Sequence, residues 1–380
     1  MLIDRRAKAV LKKLNKNGVN GFIVGGAVRD FLLNKKPQDY DICHSSTPEK
    51  IKEIFKTCKI YETGIKYGTL TLNYKGLFIE ITPFRVENGY SDNRHPDNIE
   101  FVKNIEQDLS RRDFTINALA LNHKGEIIDL YGGEADLKSG IIKAVGNPHE
   151  RFTEDPLRIL RGYRFAARFG FSIEEKTKAA IKNKKEGLAS LSKERLSKEL
   201  KLILSGNNLS AVFLELLDTL SVFGVAKTQD NTGFLQLLKG AKDPLKFPLF
   251  VSFYNLKNAL SLSNKEEKII DNFTLALNSR TLDILDLFLN KSWEETEQIL
   301  WLLKAQNRLT HNDEIFLKTI FKKRLYKQIS RLKINGNDLM ALGFKGQQIT
   351  KIKQDISREI LLSNLKNNRK KILNFIKNNY

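Results

Sequence analysis

The amino-acid sequence predicts an α+β fold, in which a small mixed-sheet head is followed by an all-helical neck, body and tail. In the first 147 residues, short runs with period-two alternation, such as Leu77–Pro83, alternate with short helical segments. After Val145-Gly146-Asn147-Pro148, the apolar residues recur with the 3.6-residue period of helices. A length of 380 residues allows two or more domains. We expect the domains in this order: head at 1–147, neck at 148–205, body at 206–320 and tail at 321–380.

The head contains short elements separated by turn signals. Asp4 is an N-cap for a first helix that runs to Leu14, and Thr47-Pro48-Glu49 starts a later helix. Lys75-Gly76 is the turn of a hairpin. The other predicted elements are a strand at 21–24, a helix at 27–33, hairpin strands at 67–74 and 77–83, a polar loop at 90–97, a helix at 108–119, a strand at 127–131, a turn into a linker at 132–137 and a helix at 154–169.

The charge of the chain predicts a polyanionic partner. Lys and Arg number 64 against 44 Asp and Glu, a formal net charge of +20, which favours nucleic acid over a membrane surface. An AT-rich genome would also raise the Lys content, but the excess is uneven. Residues 321–380 hold 15 Lys and Arg and only three acids, so we expect the tail to bind nucleic acid.

Targeting signals and cysteine motifs are lacking in the sequence. The first residues have no apolar signal-peptide core, and no run of about 18 apolar residues occurs. The two cysteines, Cys43 and Cys58, have no metal-site or disulfide-framework spacing. We therefore expect a soluble, cytoplasmic protein that does not bind a membrane.

Asp39 and Asp41 form the first candidate site. On an extended segment both side chains project from one face, with their Cα atoms about 7 Å apart, close enough to share divalent ions. Carboxylate oxygens suit Mg²⁺, the predicted cofactor, which can activate a hydroxyl and neutralise a triphosphate. Glu80 is a candidate third acid, because a carboxylate in an otherwise apolar strand is costly unless it is paired. The alternative is an edge-strand glutamate that faces water or bridges to Arg85, and spacing alone does not decide between them.

Gly25 and Gly26 lie between the predicted strand at 21–24 and the helix that follows it. Glycine has no Cβ, so backbone N–H groups in such a turn can approach a phosphate closely. A Gly-Gly turn or an Asp-x-Asp segment alone has little specificity. In this order, with twelve residues between Gly26 and Asp39, the two together resemble the signature of the DNA polymerase β type nucleotidyltransferase superfamily.

A longer motif series resembles that of bacterial class II tRNA nucleotidyltransferases, the CCA-adding enzymes of the tRNA nucleotidyltransferase/poly(A) polymerase family. From about Gly25 to Leu200 the motifs are GGAVRD, DYD, RRDFTINA, GGEADL, EDPLR and SxERxxxEL. The resemblance implies template-independent addition of CCA to tRNA 3′ ends from CTP and ATP, with release of pyrophosphate. It implies tRNA, CTP and ATP as partners, and we predict no obligate protein partner.

The resemblance also assigns roles to single residues. Asp39 and Asp41 would be the metal ligands and, with Glu80, the catalytic acids. Asp113 and Asn117, four residues apart on the predicted helix 108–119, would face the sugar. The implied nucleotide contacts are Gly25, Gly26, Arg29, Arg112, Asp113, Asn117, Asp155, Arg158, Arg161 and Arg164.

Asp155 and Arg158 would form a protein template for the incoming base. Cytosine and adenine both present an amine donor beside an unprotonated ring nitrogen, so a carboxylate and a guanidinium can pair with either. Uracil and guanine present the reverse pattern and would leave buried polar groups unpaired, at about 1–3 kcal/mol each. The alternative is a structural helix start, in which Asp155 caps the helix and Arg158 pairs with Glu154.

Four functions remain open at this point: full CCA addition, A-addition or another partial activity, poly(A) polymerisation, and non-catalytic RNA binding. The loop with Asp92 and Arg94 resembles the flexible loop of full CCA-adding and A-adding enzymes, which argues against a CC-only enzyme. Residues 334–346 resemble the tail segment of CCA-adding enzymes rather than a poly(A) polymerase extension. Asp39 and Asp41 are both present, so a retired, non-catalytic scaffold ranks last.

Overall fold

The computed structural model describes residues 3–65, 68–88, 98–226, 231–279 and 282–380, apart from the side chains of residues 63, 87, 88 and 98. The chain divides into two compact units. Unit 1 consists of Met1–Leu235 and Asn258–Ser261, and unit 2 consists of Gln236–Lys257 and Leu262–Tyr380.

Unit 1 contains all the strands that the structure describes. The strands are β1 (Gly21–Val24), β2 (Tyr40–His44), β3 (Lys59–Gly64), β4 (Thr69–Tyr74), β5 (Leu77–Pro83), β6 (Arg85–Asn88), β7 (Asn98–Phe101), β8 (Leu119–Leu121), β9 (Ile127–Asp129), β10 (Ile141–Ile142) and β11 (Ser172–Ile173). Its helices are α1 (Arg5–Lys16), α2 (Gly26–Leu32), α3 (Pro48–Ile54), α4 (Ile105–Ser110), α5 (Gly133–Ser139), α6 (Pro148–Glu154), α7 (Leu157–Phe169), α8 (Glu175–Lys184), α9 (Lys193–Leu204), α10 (Phe213–Thr219) and the start of α11 (Asn231–Gly240).

Unit 2 is helical throughout its described residues. Its helices after α11 are α12 (Asp243–Phe253), α13 (Asn264–Asn278), α14 (Ile284–Asn290), α15 (Trp293–Ala305), α16 (His311–Lys322), α17 (Leu325–Ile329), α18 (Gly336–Ala341), α19 (Gln347–Leu361) and α20 (Arg369–Asn379). Several begin with a reciprocal capping box, such as Ser263 with Glu266 at the start of α13, which satisfies backbone donors at the helix start. No helix in the described part of the chain is long and apolar enough to span a membrane.

The main sheet of unit 1 has seven strands in the order β3-β4-β5-β2-β1-β8-β9. Only β2 and β5 pair in parallel, and the other neighbours are antiparallel. Alternating residues such as Ile42, Ile79 and Ile81 are fully buried in the core beneath α1, so their neighbours along each strand project from the opposite face. The predicted fold class, a mixed-sheet head with a helical remainder, is confirmed.

The predicted continuous helix over 108–119 is wrong. Helix α4 ends at Ser110, a turn and bend lead to the extended residue Phe114, and a single 3₁₀ turn then spans Thr115–Asn117 before β8. The backbone at Phe114 pairs with Ala144, and the Thr115 N–H donates to the Lys143 carbonyl oxygen (2.9 Å). Tertiary backbone pairing therefore replaces the hydrogen bonds of a helix.

Two other boundaries also differ from the prediction. The predicted turn at 132–137 is the start of helix α5, because the Asp129 carboxylate accepts from the N–H groups of Gly133 and Glu134 (2.8 and 2.9 Å). The predicted helix at 154–169 is interrupted: α6 ends at Glu154, Asp155 is extended, and α7 begins at Leu157. Proline disfavours helical geometry in the residue before it, which explains the break at Asp155.

Gly133 gives a stability test of the contact between α5 and the turn that carries Asn117. A Cβ at Gly133 would overlap the backbone carbonyl of Thr115. We expect Gly133→Ala to lower the free energy of unfolding by about 1–3 kcal/mol, the usual cost of overpacking. Gly240→Ala is the matched control, because a Cβ there meets only open space. Urea unfolding followed by circular dichroism measures both, and equal midpoints for the two variants would contradict the expected contact.

Candidate active site

The three predicted acids lie at neighbouring positions of the sheet. Asp41 of β2 is directly opposite Glu80 of β5 in the parallel register, and Asp39 immediately precedes β2. Shielding from water and the charge of Glu80 raise the pKa of Asp41 to about 6, with Asp39 adding to the effect and Arg112 opposing it. A divalent cation would relieve this concentration of negative charge.

The donor set at these strands fits Mg²⁺. Asp39, Asp41 and Glu80 supply carboxylate oxygens, and Mg²⁺ commonly binds through one or two carboxylates while it keeps several waters. In the described part of the chain, no group of three or more His, Cys, Asp or Glu side chains is arranged so that it could hold a metal ion by itself. Such a site would therefore need ligands from water or substrate to complete the coordination.

The glycine turn after β1 packs closely against two arginines. Gly25 has a φ of +64° and is the N-cap of α2. A Cβ there would lie 3.0 Å from Nη1 of Arg112, and one at Gly26 would lie 3.4 Å from Nη2 of Arg29. The absence of side chains at this turn therefore allows guanidinium groups to approach its backbone.

Asp108 holds two arginines at the edge of the site. Its fully buried carboxylate accepts from Arg111 Nη2 (2.7 Å) and Arg112 Nη2 (3.0 Å). Burial alone would raise the pKa of Asp108, but Arg112 and Arg111 outweigh this effect and lower it. The carboxylate therefore stays ionised and fixes the direction of both side chains.

A chain of hydrogen bonds joins Arg29, Asn117, Asp113 and Arg161. Arg29 Nη1 donates to Asn117 Oδ1 (2.6 Å), Asn117 Nδ2 donates to Asp113 Oδ1 (3.1 Å), and Arg161 Nε donates to Asp113 Oδ2 (2.7 Å). Burial opposes ionisation of Asp113, but Arg161 and Asn117 lower its pKa to about 2. The structure thus brings Asp113 and Asn117 together although they do not share a helix.

Asp155 and Arg158 are held by separate protein partners. Asp155 Oδ2 accepts from Arg195 Nη2 (2.8 Å), and Asp155 Oδ1 accepts from the Leu157 N–H (3.0 Å). Arg158 is 8% exposed, and its Nη1 donates to Glu154 Oε2 (2.7 Å). The contacts with the Leu157 N–H and with Glu154 are those of the structural alternative considered from the sequence, whereas the pair with Arg195 was not predicted. Both residues also line the cavity described below.

Helix α7 presents cations and aromatic rings together. Arg164 and Arg168 are four residues apart on one helix face, and their guanidinium groups lie 4.7 Å from the Phe165 ring and 5.1 Å from the Phe169 ring. Arg164 Nη1 also donates to Oε1 of Glu199 in α9 (3.0 Å). Glu199 is 4% exposed, and burial raises its pKa although Arg164 and Arg161 oppose the shift.

These groups surround a cavity of about 800 Å³ in unit 1. Its described lining is strongly cationic, with eight arginines and only three acids. The lining residues are Gly25, Gly26, Arg29, Asp41, Arg111, Arg112, Asp113, Asn117, Asp155, Leu157, Arg158, Arg161, Arg164, Phe165, Arg168, Arg195, Leu202, Ser205 and Gly206. Asp39 and Glu80 are outside this lining, and the predicted loop residues Asp92 and Arg94 lie outside the described residues.

Several residues of the site were not predicted individually from the sequence. Arg111, Arg168 and Arg195 line the cavity. Asp108 and Glu199 lie outside the lining and form ion pairs with arginines that belong to it. Arg195 and Glu199 fall within the SxERxxxEL motif, which was the available signal for both. Asp108 gave no sequence signal, because its burial depends on tertiary packing.

The sequence of the chain is similar to known proteins along almost its whole length. The family model described as "Poly A polymerase head domain" matches residues 21–143, and "Probable RNA and SrmB- binding site of polymerase A" matches residues 170–220. A CCA-adding enzyme of Enterococcus faecalis is 34% identical, over 98% of this chain and 95% of that enzyme. The chain belongs to the CCA-adding enzyme family. This confirms the family predicted from the motif series.

Two further matches define the extent of the similarity. A CCA-adding enzyme of Lactobacillus delbrueckii subsp. bulgaricus is 46% identical over 241 residues, which are 63% of this chain but only 60% of that relative. The crystal structure of the Bacillus stearothermophilus CCA-adding enzyme in complex with CTP has a TM-score of 0.78 and 26% identity, over 98% of this chain and 96% of that chain. The similarity of fold therefore extends well beyond the most similar stretch of sequence.

Asp41 gives a stability test of the acid cluster. Because its folded pKa is about 6 against an ordinary 3.8, the ionised carboxylate destabilises the folded protein, and this loss develops as pH rises from about 4 to 6. We expect Asp41→Asn to raise the thermal midpoint at pH 7.5 by roughly 2–4 °C, since a partly exposed group contributes about 1 kcal/mol. At pH 4 the parent is already protonated, and the difference should vanish.

Addition of Mg²⁺ at pH 7.5 should make the thermal midpoint of the parent higher than that of Asp41→Asn. Binding to the folded state raises the midpoint of the parent, and loss of one carboxylate ligand should remove most of this gain in Asp41→Asn. Differential scanning fluorimetry with and without Mg²⁺ measures both effects. An equal Mg²⁺ shift in parent and variant would show that Asp41 is not a ligand.

Proposed function

We propose that this chain adds CCA to the 3′ ends of tRNA from CTP and ATP and releases pyrophosphate. The observation that carries the proposal is the position of Asp41, which lines the arginine-rich cavity and is in register with Glu80. Asp41 therefore belongs both to the acids that can hold a metal ion and to the lining of the cavity, whose arginines can bind phosphate. The family membership and the CTP complex of the Bacillus stearothermophilus relative support this reaction.

In the proposed reaction, the 3′ hydroxyl of the RNA attacks the α-phosphate of the bound nucleotide. Asp39 and Asp41, with Glu80 beside them, would hold Mg²⁺, which when bound lowers the pKa of a ligated hydroxyl and neutralises phosphate charge. The arginines of the cavity bind and orient the triphosphate, since planar guanidinium groups match phosphate oxygens. Positioning and electrostatic stabilisation therefore supply the catalysis.

Asp155 and Arg158 select the base in this proposal. Their present partners, Arg195 and Glu154, hold them at the cavity wall before a nucleotide binds. Cytosine or adenine then donates its amine to the Asp155 carboxylate and accepts from the Arg158 guanidinium at its ring nitrogen. Arg158 must exchange part of its contact with Glu154 for the base, so binding of the base and this ion pair are coupled.

The remaining parts of the proposal concern partners and compartment. The basic tail, residues 321–380, contacts the tRNA backbone, because phosphate charge and helix shape identify folded RNA without sequence readout. No protein partner is needed for the chemistry. The substrates CTP, ATP and unfinished tRNA would place the reaction in the cytoplasm.

Extension of three tRNA transcripts tests the proposed function directly. The transcripts end before CCA, after the first C, or after CC, and each is incubated with Mg²⁺ and CTP, ATP or both. We expect the first to gain CC with CTP alone and a single further A when both are present. Addition of A to the CC-ended transcript only would indicate an A-adding enzyme, a long A ladder would indicate a poly(A) polymerase, and no extension would indicate a non-catalytic RNA-binding protein.

Asp155→Asn tests the base-selecting role. The amide keeps the size of the carboxyl group but can donate to the carbonyl of uracil, so discrimination between CTP and UTP should fall by about 5- to 150-fold, equivalent to 1–3 kcal/mol. Asp243→Asn is the control, because that carboxylate forms only an exposed pair with Lys246 in unit 2. Ratios of kcat/KM for CTP and UTP give the result, and an unchanged ratio would exclude Asp155 from base selection.

A further inference from the structure

The solvent face of strands β3, β4 and β5 carries an unusually exposed aromatic side chain. Phe78 of β5 is 55% exposed, although it is only two residues from Glu80 on the same strand. Residues two apart on a strand project from the same face, so Phe78 and Glu80 share the face opposite the buried Ile79 and Ile81. A phenyl ring that is exposed to solvent this close to a proposed catalytic acid is a candidate for a substrate contact.

The strand register connects this face to the proposed metal ligands. Across the sheet, Tyr61 pairs with Thr71, Thr71 pairs with Glu80, and Glu80 pairs with Asp41. Directly paired residues project from the same face, and neighbouring strands are about 4.8 Å apart. The row from Asp41 to Tyr61 therefore extends roughly 14 Å across one face, and Phe78 lies about 7 Å from Glu80 along β5.

Tyr61, Phe78 and Lys59 form a continuous patch, which we name the aromatic platform. The rings of Tyr61 and Phe78 have centroids 6.2 Å apart and an interplanar angle of 40°. The small side chain of Thr71 lies between their strands in the register. Lys59 Nζ lies 5.0 Å from the centroid of the Tyr61 ring. The platform therefore combines ring faces for a base with a cation for a phosphate.

The platform and the arginine-rich cavity lie on different sides of the acids. The cavity is lined by the glycine turn after β1, the residues that follow α4 and the helices α7 and α9, and it includes Asp41. Phe78, Tyr61 and Lys59 are not part of its lining. The reaction joins two substrates at the acids: a triphosphate, which needs several cations, and an RNA 3′ end. The eight arginines suit the triphosphate, so the opposite side, with its rings and single lysine, suits the RNA end.

We propose that the aromatic platform stacks the 3′-terminal base of the RNA acceptor, and that Phe78 is its main contact. This inference rests on the proposed function. The terminal base of the acceptor is the original 3′ base of the transcript at the first addition and C at the next two, so the site that positions it must tolerate different bases. Stacking on an aromatic ring meets this requirement, because every base has a π face, whereas hydrogen-bond readout would favour one base.

Steady-state kinetics of Phe78→Ala and Phe78→Tyr on the full chain test the proposal. With transcripts ending after C or after CC, we expect Phe78→Ala to lower kcat/KM for the RNA by about 10-fold or more, the usual effect of losing one base-stacking contact. The KM for CTP or ATP should stay within about 2-fold of the parent, and Phe78→Tyr should restore most of the loss. Leu214→Ala is the control, since Leu214 is 60% exposed on α10 and has no proposed role.

A binding measurement without chemistry gives the second readout. A tRNA transcript with 2-aminopurine as its 3′-terminal base loses emission when that base stacks on a ring. We expect emission to fall on binding to the parent and to Phe78→Tyr but not to Phe78→Ala at a saturating protein concentration.

The outcomes distinguish a failure of the aromatic platform from a failure of the proposed function. A parent that extends no transcript contradicts the proposed function itself. An active parent whose Phe78→Ala variant behaves like Leu214→Ala, or loses affinity for CTP as much as for RNA, contradicts the platform alone. Failure of Phe78→Tyr to restore activity, or equal emission changes in parent and Phe78→Ala, likewise overturns the stacking role.

Discussion

The candidate site depends on the hydrogen bonds to the buried carboxylate of Asp113. It accepts hydrogen bonds from Asn117 in the 3₁₀ turn and from Arg161 in α7, and Asn117 in turn accepts from Arg29 of α2. Three separate segments are thereby fixed around one ionised group. Removing one partner of a buried charged pair costs about 3–5 kcal/mol, so this network holds the cavity wall in one arrangement.

The candidate site contains a group of arginines and a group of acids, and the protein stabilises the two groups differently. Acids outside the lining, such as Asp108 and Glu199, form ion pairs with arginines of the cavity. The guanidinium groups of these arginines remain part of the cavity lining. Asp41 is balanced less completely, as its raised pKa shows. The arginines of the cavity are therefore held in place by protein partners, whereas the acids would gain stability if a cation bound to them.

The sequence predicted the strands β1, β4, β5 and β9 and the extended segment of β2, which alternation and turn residues mark locally, but it predicted no strand at β3, β6, β7, β8, β10 or β11. The family resemblance, not the spacing, favoured a place for Glu80 beside Asp39 and Asp41, and the parallel pairing of β2 and β5 brings Glu80 opposite Asp41. The helix predicted over 108–119 failed because the backbone at Phe114 pairs with a distant segment, which no local pattern encodes. Asp108 was missed although Arg111 and Arg112 follow it by three and four residues, because its full burial comes from tertiary packing. Glu199 was missed because its partner, Arg164, is 35 residues away.

In the proposed function, one chain adds C, C and A in order and then stops. The decisive experiment is to sequence the 3′ ends of a tRNA transcript that lacks CCA after incubation with Mg²⁺ and all four nucleoside triphosphates. We predict that nearly all extended molecules end in CCA, with U and G rare at every added position. Ends that stop at CC, extend into A tracts or contain all four bases would contradict the assignment of these residues to ordered CCA addition.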